Sequence, residues 1–191
     1  MQRHIDSPRR RPWLGLVTTL IIGCSPSLAA EPLEVHVEKA GDAVVVDVRA
    51  TVNVPPSIAW DVLTDYDHMA DFVSALKTSR VLSRSGNRLE VEQKGGAQFG
   101  FLHFDFSSVR AVDLTPQREI RSRLLRGDFE RFDFTTRVET ANGSTVIIHH
   151  GDYVPKRWVP PGVGPSIIAS QTELQYRELI AEMLRRQGPK P

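Results

Sequence analysis

The chain has 191 residues, enough for one ordinary domain plus a leader. Its formal charge is +1, but residues 1–29 hold four of the 24 basic residues and one of the 23 acidic ones, so 20 basic and 22 acidic residues remain beyond them. That near-neutral remainder has no concentrated basic patch, so no nucleic-acid partner is expected, and the single Cys24 excludes an internal disulfide.

The first thirty residues read as an export signal. Met1 to Trp13 is basic, Leu14 to Gly23 is an uncharged apolar run too short to span a bilayer, and Ser27-Leu28-Ala29-Ala30 is a small-residue cleavage site. The expected organisation is a signal peptide over 1–30 and one domain over 31–191, delivered to the periplasm. An uncleaved anchor is the alternative reading of the same run. Two variants of the signal compete with plain cleavage. Ile21-Ile22-Gly23-Cys24 resembles a lipobox, which would make Cys24 a lipidation site and the protein a membrane-anchored lipoprotein, and Arg10-Arg11-Pro12-Trp13-Leu14 loosely resembles a twin-arginine signal.

Beyond the leader, Glu34 to Glu38 and Val44 to Asn53 read as strands about a turn at Gly41-Asp42. Val44, Val46, Val48, Ala50 and Val52 share one face, opposite Asp47, Arg49, Thr51 and Asn53, which predicts a sheet with one dry and one wet side. A short helix starts at Pro56, where a missing N–H costs nothing, with Ile58, Ala59, Val62 and Leu63 on its apolar face. A second short helix is expected over His68 to Val73. An antiparallel meander of about five strands follows, punctuated by Ser85-Gly86-Asn87, Gly95-Gly96, Pro116, Gly127-Asp128 and Asn142-Gly143. Pro155 to Pro165 is a Pro/Gly linker into a long helix, in which Ile168, Thr172, Tyr176, Leu179 and Met183 share a face that Ile180 and Leu184 widen. The predicted fold class is α+β: a curved antiparallel sheet of about seven strands wrapped around a long C-terminal helix, with two short helices after the first long strand.

The inward faces mix aromatics (Phe104, Phe106, Phe132, Phe134, Tyr153, Tyr176) with small or polar residues (Ser122, Thr136, His149, Gly151, Thr172). A solid core would be more uniformly aliphatic, whereas ligand cavities are apolar with a few placed polar groups. The alternative is that these side chains simply meet and fill the space. Candidate ligand-binding residues are Phe72, Phe104, Phe106, Phe132, Phe134, Thr136, His149, Tyr153, Ile168, Thr172, Tyr176 and Leu179. His149 is the most informative: a neutral imidazole there can donate to or accept from a ligand's polar end, or else be a core histidine satisfied by the backbone or by Tyr153. His103 with Asp105 and His150 with Asp152 fall two apart on the wet face, where such pairs are ordinarily a polar surface, so no metal and no cofactor is expected. No Ser-His-Asp spacing, phosphate loop or HExxH pattern occurs, and no catalytic residue is assigned.

Three motifs carry a resemblance. They are Val54-Pro55-Pro56-Ser57-Ile58-Ala59-Trp60-Asp61-Val62-Leu63-Thr64-Asp65-Tyr66-Asp67, then Gly127-Asp128-Phe129, then Trp158-Val159-Pro160-Pro161 with Gly164-Pro165 before the helix. Over residues 34–186 the chain resembles the START-like (SRPBCC, helix-grip) superfamily, nearest its coenzyme-Q-binding START and polyketide cyclase types, and the later motifs resemble an exported bacterial subgroup. The resemblance implies a deep hydrophobic cavity for lipids, quinones or other apolar molecules, and no single activity. One departure implies a reshaped pocket: relatives are expected to carry a Gly and a large aromatic along the strand at Phe134 and Thr136, the reverse of the sizes here. Three functions follow: non-catalytic carriage of a hydrophobic small molecule, with membrane-surface contact; a cyclase or dehydratase using His149 and Tyr153 as acid/base groups; or a protein-interaction scaffold with a filled core.

Overall fold

The computed structural model describes residues 32–99, 102–156 and 164–188. The leader, Cys24 and Trp158 to Pro161 therefore lie outside the described residues, as do the side chains of 97–104, including Phe104.

The chain runs β1 (Leu33–Ala40), β2 (Ala43–Val52), α1 (Pro56–Thr64), α2 (Met69–Phe72), β3 (Leu76–Ser85), β4 (Arg88–Phe99), β5 (Leu102–Thr115), β6 (Glu119–Gly127), β7 (Phe129–Ala141), β8 (Ser144–Pro155) and α3 (Gly164–Gln187). All strands form one antiparallel sheet in the order β1-β2-β8-β7-β6-β5-β4-β3. The sheet thus has eight strands rather than about seven, because each of the six alternating segments after the helices is a strand of its own. The β7–β8 hairpin turns through Asn142 (φ 52°) and Gly143 (φ 79°), a pair of left-handed residues whose twist matches the flanking strands.

The valine face of β2 is the floor of the core: Val46, Val48, Ala50 and Val52 are at most 2% exposed. Burying each of these valines contributes about 1.5–3 kcal/mol. Pro56 opens α1 as predicted, and Ala59, Trp60, Val62 and Leu63 are buried. The helix α3 lies against β1, β2 and α1, with Tyr176, Leu179 and Met183 in the core.

Two details depart from the helical pattern. Leu184 does not widen the apolar face; it is 41% exposed. Glu182 is buried instead, its carboxylate held by Arg185 (2.6 and 2.7 Å) and Arg186 (2.7 Å). Arg186 also reaches Asp65 at 2.7 Å, which fastens the C-terminal end of α3 to the end of α1. Ser74 N–H donates to Glu178 at 3.0 Å and adds a second tether nearby.

Candidate functional site

A cavity of about 600 Å³ lies between the concave face of the sheet and α3. That volume falls within the range of small-molecule sites. The sheet supplies Phe106 from β5, Phe132, Phe134 and Thr136 from β7, and His149 and Tyr153 from β8. The helix supplies Ile168, Thr172, Tyr176 and Leu179. Ten of the twelve predicted ligand-binding side chains therefore share one wall-to-lid space. Phe104 lies in β5, but its side chain falls outside the described residues.

Phe72 is a correction. It does not line the cavity; its ring lies beneath the Arg186 guanidinium at 5.5 Å. The four-residue helix α2 turns Met69 inward instead, at 6% exposure. Met69 lines the cavity, and its Sδ accepts from Gln93 Nε2 at 3.3 Å.

The aromatic residues run along the wall as a chain of contacts. Phe129 stacks on Phe132 at 4.5 Å, Phe132 meets Phe134 at 6.1 Å and Tyr153 at 4.8 Å, Phe134 meets His149 at 5.2 Å, and His149 meets Tyr176 at 5.9 Å. Such offset and edge geometries suit the ring quadrupoles.

Polar groups sit in the middle of this wall. Thr136 Oγ1 lies 2.9 Å from His149 Nδ1, and His149 Nε2 lies 3.0 Å from the Tyr153 hydroxyl. Burial pushes the imidazole down to about 4, with a smaller contribution from His150. His149 is therefore neutral near pH 7, with both ring nitrogens engaged. Burial pushes the Tyr153, Tyr176 and Tyr66 hydroxyls up, so these remain protonated. The reach of Tyr153 depends on Gly151, where a Cβ would stand 2.2 Å from the Tyr153 hydroxyl and 2.5 Å from its Cζ.

The sequence reading missed Arg110. It is 2% exposed and lines the cavity. It donates to Ser122 Oγ at 3.1 Å and to Gln93 Oε1, and its Cζ lies 4.9 Å from the Phe134 ring and 5.4 Å from the Phe132 ring. Strand parity was the available signal, because Phe106, Ser108, Arg110 and Val112 fall on one face of β5. Phe129 was missed for another reason. A register shift between Phe129 and Arg131 brings it onto the face of Phe132, three positions on, which simple alternation does not anticipate.

The outward pairs do other work. His150 Nδ1 lies 2.7 Å from Asp47 across to β2, and Arg131 donates to Asp152 at 3.0 Å. Asp105, which belongs to the cavity lining despite its outward parity, accepts from Lys77 at 2.6 Å. Asp133 accepts from the Leu124 N–H at 3.0 Å, just beyond the last ladder pair of β6 and β7, Ser122 with Phe134.

This architecture has known counterparts. Residues 52–177 match the profile of the family described as polyketide cyclase / dehydrase and lipid transport. The chain belongs to that family. Solved structures with the same fold include the Zhui aromatase/cyclase from Streptomyces sp. R1128 (TM-score 0.64, 17% identity, covering 75% of this chain and 95% of that one). A START superfamily protein from Mycobacterium smegmatis aligns with TM-score 0.62 at 15% identity, over 73% of this chain and 96% of its own. A STAR-related lipid transfer protein from Xanthomonas axonopodis aligns with TM-score 0.58 at 10% identity, over 79% of this chain and 98% of its own. At these identities the likeness concerns the helix-grip fold alone. No curated protein matches the chain by sequence.

Proposed function

We propose that the protein binds and carries a hydrophobic small molecule, a lipid, quinone or aromatic, without transforming it. The observation that supports this reading is the unfilled space of about 600 Å³ under α3, walled by aromatic rings that stack along the sheet and leave the interior open. The polar groups on that wall favour holding over chemistry. His149 has both nitrogens occupied and a depressed pKa, and its partner Tyr153 is a phenol held protonated by burial. A general acid or base works best with a pKa near the operating pH.

Leader composition supports the periplasm as the place of action, with plain cleavage near Ala29 or Ala30, or lipidation at Cys24, as the two routes. Handover of an apolar cargo also calls for contact with a membrane surface. The test is native mass spectrometry of protein isolated from its own host. A retained apolar molecule and an N-terminus at or after Cys24 are expected; protein with no adduct and no uptake of apolar probes would overturn the carrier reading.

A cyclase or dehydratase is the second reading. It draws on the family description and on the placement of His149, Tyr153 and Arg110 around one space. Chemical change in the retained molecule on incubation with the protein would favour it.

A further inference from the structure

We propose that the cargo is an amphiphile whose apolar body ends in a single anionic head, a carboxylate or a phosphate monoester, seated against Arg110. This deepens the carrier reading and rests on it.

The guanidinium cannot shed its proton at any ordinary pH, so it is a permanent charge in a wall of phenylalanines. A buried cation of this kind is normally paired with a carboxylate. The partly buried Arg186, 26% exposed, follows that rule and meets Asp65 and Glu182. Arg110 does not. Its hydrogen-bond partners are the neutral oxygens of Ser122 and Gln93, and Nε has no partner among the described residues. The ionisable side chains coupled to it are Tyr66, Tyr153 and His149, all neutral near pH 7.

The surroundings are built rather than incidental. Gln93 is itself fixed by Ser79 Oγ at 3.0 Å and by Met69 Sδ, so its amide oxygen is aimed at the guanidinium before any ligand arrives. Phe132 and Phe134 spread the charge through cation–π contact but supply no counter-ion. The two carboxylates on the cavity lining are engaged elsewhere, Asp105 with Lys77 and Asp128 with the Ser107 N–H. A buried cation without a counter-ion among the described residues, beside an apolar hollow, is complementary to an acid with an apolar body.

The experiment uses the mature chain stripped of retained lipid and loaded with the neutral dye N-phenyl-1-naphthylamine. The dye is displaced by decanoate, decyl phosphate or decan-1-ol, each below its aggregation limit, near neutral pH. Wild-type protein is expected to yield its dye to one of the anions at about tenfold lower concentration than to the alcohol. In Arg110→Met that ratio between anion and alcohol should fall to about one; Arg110→Lys should keep part of it. A preference between decanoate and decyl phosphate assigns the head group. Equal displacement by all three in wild type overturns the anionic head while leaving the carrier reading standing, and that comparison needs no variant to fold. Failure of the dye to bind at all overturns the carrier reading and this inference with it.

Discussion

Replacing Gly151 by alanine tests how the polar centre of the wall is held. Gly151 lies opposite Val46 of β2 and Phe134 of β7. The Tyr153 ring folds back along its own strand over the empty position, so an added methyl would stand 2.2 Å from the hydroxyl, 2.5 Å from Cζ and 2.8 Å from Cε2. Three side-chain atoms inside contact distance, two of them in the ring, cannot be relieved by a small tilt, so the whole ring must leave. Tyr153 then gives up its hydrogen bond to His149. Leaving a buried polar group without a partner costs about 1–3 kcal/mol, and an off-rotamer ring adds about 0.5–1.5 kcal/mol. Alanine recovers about 0.4–1 kcal/mol by restricting the unfolded chain. The net loss is roughly 0.5–4 kcal/mol, which for a domain of this size lowers Tm by about 1–16 °C. Thermal unfolding followed by circular dichroism reads the shift. In a Tyr153→Leu background the same substitution should cost little, because the clashing atoms are gone. A Tm for Gly151→Ala equal to or above wild type, or equal costs in both backgrounds, would refute the reasoning.

Three further outcomes follow from the same geometry. His149 has a folded pKa of about 4 against an ordinary 6.5, so the unfolded chain binds the proton more readily; stability is full above about pH 6.5 and falls as pH drops toward 4, by on the order of 2–3 kcal/mol. His68, held above its ordinary pKa by its hydrogen bond to Asp65, acts with the opposite sign, so the effect is read as the difference between wild type and His149→Phe in urea titrations across that window; parallel pH curves would contradict it. Arg186→Ala should cost about 1–2 kcal/mol by leaving Asp65 with His68 alone and removing one of the three hydrogen bonds on buried Glu182. Glu182 is held at about 2, first by Arg185, so its stabilisation is complete above about pH 4.5 and is lost toward pH 2, and acid unfolding of this variant should begin at higher pH than in wild type. Thr172→Trp places an indole in the hollow beside Tyr176 and should abolish dye uptake while Tm moves by only a few degrees; undiminished uptake would place the ligand elsewhere.

Much of the architecture was legible because period-2 alternation is strong here. The valines of β2, the Phe132-Phe134-Thr136-Val138 face of β7 and the Asn142-Gly143 turn each point to one local structure. What escaped was set by tertiary context. Arg110 stands on a dry face by parity, yet a lone arginine in a strand reads as a surface residue until the neighbouring strands are known to close over it. Phe72 reads as an inward aromatic, but which of Met69 and Phe72 turns inward depends on where the four-residue helix α2 rests. Glu182 falls on the buried side of α3 only because two arginines from the next turn make its burial tolerable.

The hollow itself has a physical cause. A concave wall rich in phenylalanine and tyrosine would ordinarily close on its own centre, since each ring removes a large apolar area from water by meeting another. Here two rings are laid along the strands instead. Tyr153 lies over Gly151 on its own strand, and Phe106 lies across Gly95, its register partner on β4, where a Cβ would come within 2.8 Å of the ring. The same device, an aromatic ring over a glycine, thus occurs on two strands of the wall. Each ring buries a face against bare backbone and leaves its neighbours free to stack sideways along the sheet, as Phe129, Phe132 and Phe134 do. The apolar area is satisfied within the wall, and the residual drive to collapse onto Ile168, Thr172 and Tyr176 is correspondingly weak. The two glycines differ in what a side chain would meet. At Gly95 the added carbon would also stand 2.1 Å from the Ala75 carbonyl oxygen, so backbone would have to shift. At Gly151 the nearest obstacles belong to a side chain, which makes Gly151 the position where ring placement can be tested with the strand left in place.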